Sequence, residues 1–173
     1  AISVNNISSG ESAKITVFKL TNPIKKFRIS SDDNILFLQD INDNKDKYKS
    51  IFENPYLAVY KKAHDLYKAK VHINLFYEFD ENAQKCFSKK REYFNLSMMT
   101  DKFKDEFKAN SDWLKFSFHA QTEFPDAPYE HATGEKIKTD CIRVAKEIVR
   151  FAGEDSLPDT TTVHWGEANV ECI

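Results

Sequence analysis

Three clusters of side chains able to bind a metal or move a proton each follow a short apolar run in this chain. Residues 27–31 lead into Asp32 and Asp33, and residues 113–118 lead into His119, with Glu123 four positions on. Residues 161–163 lead into His164, Trp165 and Gly166. Carboxylates and imidazoles are ligands for divalent ions, and the same groups donate and accept protons. If each run is a strand, the clusters meet at one edge of a parallel sheet. α/β barrels and doubly wound folds assemble active sites in that way.

Each group has a catalytic and a structural reading. Side chains that follow one another at a strand end point in different directions, so one of Asp32 and Asp33 can hold an ion while the other acts as a base. A solvated turn or helix cap would also use aspartate. His119 opens a loop after its strand, as a ligand or as a satisfied buried histidine. Glu123 shares its face if the intervening turn is helical, and Pro125 stands against that turn. His164 reads as a proton donor, a third ligand or a buried hydrogen-bonded ring. Glu78 and Asp80 end another strand and can line the same mouth, whereas His64 and His72 read as structural. His131 lies in a proline-containing loop without a motif. A Gly-x-Ser-x-Gly nucleophile context and a glycine-rich phosphate loop are both lacking from the sequence.

The elements that must position these groups follow from periodicity. Residues 1–12 read as a polar, mobile lead-in, and residues 13–20 alternate as an outer strand. Residues 35–39 are a short apolar run, followed by a polar loop over 40–49. Asn54 and Pro55 suit the cap and first position of a helix reaching Tyr67. Residues 71–79 alternate as the clearest strand, and residues 80–91 hold a short helix or a loop. Thr100 caps a helix carrying Phe103 and Phe107; residues 114–118 form a strand; two prolines make 124–129 irregular. Ile137, Cys141, Val144, Ile148 and Phe151 mark an amphipathic helix that Gly153 ends. Residues 161–164 read as a last strand, and residues 167–173 as the first turns of a further helix. The alternation of strands and helices predicts βαβ units and a mainly parallel sheet.

Composition narrows the function classes. A length of 173 residues predicts one domain with a substantial core. A net charge of −2 argues against a general nucleic-acid binder, and the apolar runs fall far short of a membrane span. The expectation is a soluble protein, either cytoplasmic or secreted after loss of a leader. Cys86, Cys141 and Cys172 have no paired spacing and read as isolated buried thiols. The 14 Phe and 7 Tyr must fill much of the core, while any exposed Tyr or Trp near a cleft would suit a sugar ring.

Arg28-Ile29-Ser30-Ser31-Asp32-Asp33, together with Phe116-Ser117-Phe118-His119-Ala120-Gln121-Thr122-Glu123, resembles the polysaccharide deacetylase (NodB-homology) family. The resemblance spans residues 27–166 and rests on those two motifs. It implies a partial or distorted (β/α) barrel of mainly parallel strands, lacking its C-terminal part, over residues 13–173. It also implies a metal-dependent hydrolase that removes N-acyl groups from a carbohydrate with water activated by a divalent ion, zinc being the expected one. By position Asp32 is the base, Asp33 and His119 are metal ligands, and Glu123 takes the place of the second motif histidine. Asn34 stands where the family has glycine. The family's arginine-proline motif is missing, and Val163-His164-Trp165-Gly166 stands there instead, with His164 left as the catalytic acid. A catalytically silent module that binds carbohydrate at the same mouth is the alternative.

Overall fold

The computed structural model describes residues 2–5, 12–15, 28–88 and 90–169. In chain order the elements are strands β1 (Ile2–Asn5), β2 (Ser12–Ile15) and β3 (Arg28–Asn34), then helices α1 (Leu36–Asp43) and α2 (Pro55–Tyr67). There follow β4 (Lys70–Phe76), β5 (Glu78–Phe79), α3 (Glu81–Gln84), β6 (Phe94–Asn95), α4 (Lys104–Ala109), β7 (Leu114–Ala120) and α5 (Gly134–Ala152). The central sheet is parallel, in the order β3-β4-β7, and two antiparallel pairs, β1-β2 and β5-β6, lie outside it. The molecule is thus mixed α/β with a parallel sheet, and its described strands do not close into a barrel.

The register gives the sheet two unlike faces. Ile73 pairs with Phe116 and Leu75 with Phe118, and these apolar side chains share one face. Phe116 is completely buried there. Its ring meets Phe37 of α1, Phe107 of α4 and Phe151 of α5 at centroid distances of 6.2, 5.5 and 6.2 Å. Three helices are therefore packed on one phenylalanine. The other face carries Ser30 and Asp32 of β3, His72 and Asn74 of β4, and Ser117 and His119 of β7. Of these, His72, Asn74, Ser117 and His119 are buried although polar.

Local signals explain most of the helices. Asn54 caps α2 by accepting from Leu57 N at 3.1 Å, with Pro55 in the first turn. Thr133 caps α5, and Gly153 ends it at φ 89°. Buried Ile137, Val144, Ile148 and Phe151 follow the helical repeat, and the half-buried Cys141 lies beside them.

Several expectations change. Residues 2–5 form a strand rather than a mobile lead-in. The outer strand extends over Ser12–Ile15, and residues 16–20 lie outside the described set. Residues 36–43 form a helix because Phe37, Leu38 and Ile41 bury one face, so the apolar run continues past Gln39 at helical spacing. The long central strand divides at Tyr77, whose N–H bonds Ala120 O while its carbonyl accepts from Leu96 N. Thr100 does not cap α4; its hydroxyl accepts from Lys102 N, and the helix starts at Lys104. Cys86 is exposed rather than buried, and Cys172 lies outside the described residues.

Residues 161–163 are extended, but they form no ladder with β7. Side chains take the groups a ladder would use: the Thr161 hydroxyl donates to Phe118 O, and Thr162 O serves His119. Residues 167–169 are not helical, and Asn169 N bonds Tyr129 O at 2.9 Å; residues 170–173 are outside the described set. The dependence on Phe116 is open to measurement. Phe116→Ala should lower unfolding free energy by about 3–5 kcal/mol in urea denaturation.

Candidate metal centre

Asp33, His119 and His164 converge at the C-terminal edge of the parallel sheet. Nε2 of His119 lies 3.0 Å from Asp33 Oδ1 and 3.0 Å from Nδ1 of His164, and that Nδ1 lies 3.2 Å from Asp33 Oδ1. Both imidazoles are buried, whereas the Asp33 side chain is 55% exposed, so the group is reachable from solvent.

The outer nitrogens decide what these atoms are. His119 Nδ1 faces Thr162 O at 2.5 Å, and His164 Nε2 faces Glu123 O at 3.1 Å. A carbonyl oxygen only accepts, so each outer nitrogen carries a proton, and in the neutral tautomer the inner nitrogen then offers a lone pair. The Asp33 carboxylate adds a third acceptor. Three such acceptors within 3.2 Å of one another repel unless a proton or a metal cation lies between them. Histidines that hold metals characteristically donate their other N–H to a carbonyl or carboxylate. Two imidazole nitrogens and one carboxylate oxygen suit zinc or another borderline divalent ion. Four-coordinate zinc with bonds of about 2.0–2.1 Å keeps ligand atoms about 3.3 Å apart, close to the spacing here. Asp33, His119 and His164 thus fit a divalent ion, and it is this group whose ligand atoms lie within 4.8 Å of one another.

The backbone that presents Asp33 is unusual. Pairing of β3 with β4 shifts register between Ser31 and Asn34, and Asp33 sits at φ 58°. Aspartate tolerates this left-handed conformation better than most residues. Asn34 closes the turn by donating to Ser31 O at 2.9 Å and Asp32 O at 2.7 Å. Tyr56 on α2 donates in turn to Asn34 Oδ1 at 2.5 Å, and burial raises the pKa of its phenol, so the donor stays protonated. Asn34, standing where the resembled family has glycine, is therefore the clamp of the bulge.

Asp32 points elsewhere. Asn74 Nδ2 donates to Asp32 Oδ1 at 2.5 Å and to Ser30 Oγ at 3.2 Å. Ser117 Oγ donates to Asn74 Oδ1 at 2.5 Å, leaving it to accept from His72 Nε2 at 2.6 Å. The donors of His72, Ser117 and Asn74 thus run in one direction across the buried polar face and end at the Asp32 carboxylate. Such aligned chains strengthen each bond and fix orientation. His72 reads as structural in the sequence, and in the fold it is the origin of this chain. His64 is also structural: it stacks on Trp113 at 4.3 Å and bonds Ala69 O.

Two sequence-derived roles change with this geometry. Glu123, expected as a ligand, contributes its backbone carbonyl to His164; its carboxylate is not among the three converging atoms. His164, expected as the catalytic acid, takes the third inward position because the turn after Val163 folds it against His119. Both still line one open cavity of about 290 Å³ with Asp32, Asp33, His119 and Trp165. Burial, then the nearby Asp33 charge, raises the pKa of the Glu123 carboxyl. Trp165 is exposed at the rim and, like Asp33, has positive φ (65°). Glu78 is engaged by Tyr93 and Gln121. Asp80 caps α3, and His131 is exposed beside Glu130.

No protein-family model, curated protein or solved structure matches this chain. Among the described residues no helix is long and apolar enough to cross a membrane.

Titration of metal-free protein with zinc should give one tight site, with affinity falling on acidification because bound protons must leave the imidazoles. His119→Ala or His164→Ala should weaken binding by at least about 100-fold, and Tyr56→Phe, acting through Asn34, by about tenfold. Equal zinc affinity in all variants would remove the site.

Proposed function

We propose that this chain is a metal-dependent hydrolase that removes N-acyl groups from a carbohydrate. The observation that supports it most is the set of three inward-facing acceptors on Asp33, His119 and His164, with a separately oriented carboxylate, Asp32, in the same cavity. A divalent ion held by these residues supplies a Lewis acid that polarises an amide carbonyl and makes water more acidic.

The remaining chemistry belongs to side chains. Asp32, aimed by Asn74, takes the proton of the attacking water as general base. Glu123, lining the same cavity, suits the return of a proton to the leaving nitrogen. Atoms balance with one water: the C–N bond breaks, the acyl carbon gains hydroxyl and the nitrogen gains hydrogen. The exposed Trp165 ring at the rim offers an apolar face to a sugar. That ring also favours a second reading, a carbohydrate-binding module without turnover.

Zinc-loaded protein incubated with N-acetylated and N-hexanoylated glucosamine should release the free acid. Asp32→Asn should lower the rate by about 10²–10⁴ while binding the same amount of ion. Ion binding without release from any N-acylated sugar would overturn the hydrolase. Oligosaccharide binding that survives chelation would then favour the binding module.

A further inference from the structure

A second recess adjoins the candidate metal centre. It has a volume of about 170 Å³ and shares Asp33 and Glu123 with the cavity of the triad. Glu78 and Cys86 also line it, and most of the remaining wall is hydrocarbon, with Ile35, Phe76, Phe79 and Ala83 all buried core residues. The Phe76 ring lines the recess and lies 5.3 Å from His119 and 5.0 Å from His164 between centroids. At the outer end Phe87 is 41% exposed and packs edge-on against Phe79 at 5.6 Å.

We propose that this recess binds the acyl chain of the substrate and that it takes chains longer than acetyl, up to about six carbons. The assignment rests on the N-acyl hydrolase reading above. An amide carbonyl at the triad has two substituents. The open side, rimmed by Trp165, is polar and wide enough for a sugar, so the acyl substituent takes the side walled by Phe76. An apolar cavity of about 150 Å³ holds one benzene molecule, so 170 Å³ has room for about six carbons. A lone acetyl methyl would leave most of that space unfilled. Each methylene moved from water into such a wall strengthens binding about fourfold.

The probes are straight-chain alkyl hydroxamates of two to eight carbons, titrated by calorimetry into zinc-loaded protein, beside hydrolysis of the matching N-acylglucosamines. Affinity should rise about fourfold per carbon up to about six and then level off. Ala83→Leu, which narrows the recess, should move the levelling point to shorter chains. A flat or falling profile from two carbons upward in the unsubstituted protein would overturn the proposal, whether or not the variant folds. The two readings fail separately. Acetyl release with a flat profile removes the recess and keeps the hydrolase, whereas a rising hydroxamate profile without hydrolysis keeps the recess and removes the hydrolase.

Discussion

The convergence of Asp33, His119 and His164 on one point is the constraint around which the upper edge of this sheet is organised. One proton of each imidazole is committed outward to Thr162 and Glu123, so the inward atoms are relieved only by a further proton or a cation between them. Keeping them together requires a rigid frame. The bulge clamped by Asn34 and Tyr56 holds the carboxylate, the end of β7 holds one ring, and the turn at residues 164–166 holds the other. Strained backbone persists where its surroundings over-determine it, and Asp33 and Trp165 both carry positive φ beside this group.

The two faces of the sheet divide the work. The apolar face gathers α1, α4 and α5 around Phe116 and supplies cohesion. The polar face buries groups that would be costly if unpaired, and their donors are used in series toward Asp32. A carboxylate oriented in this way does not depend on the Asp33 carboxylate beside it. Adjacent aspartates can therefore hold different orientations although one residue number separates them.

Much of this was legible in the chain itself. The alternation over residues 71–79 and the apolar run over 113–118 mark strands, and the parallel pairing of β3, β4 and β7 brings Asp33 and His119 to one edge. The stripe of Ile137, Val144 and Ile148 marked α5. Other features have no local signature. His164 joins the triad through a turn at Trp165, and a strand reading of residues 161–164 hides that turn because β-branched threonines favour both extended forms. Glu123 acts through its main chain, which no side-chain motif can announce. The Asn74 and Ser117 chain depends on register between strands more than 40 residues apart in sequence. Helix α1 was hidden because its second turn mixes Ile41 with acidic and amide residues.

The stretch from residue 157 to residue 166 has a further consequence. Main-chain pairing does not bind it to β7; it is fastened by the Thr161 hydroxyl, by Thr162 O on His119, and by His164 itself. Two of these contacts involve histidines of the triad, while Leu157 and Val163 pack against the core. A cation shared by the triad would therefore act as a rivet, coupling closure of this strap to occupancy of the site by simple mass action.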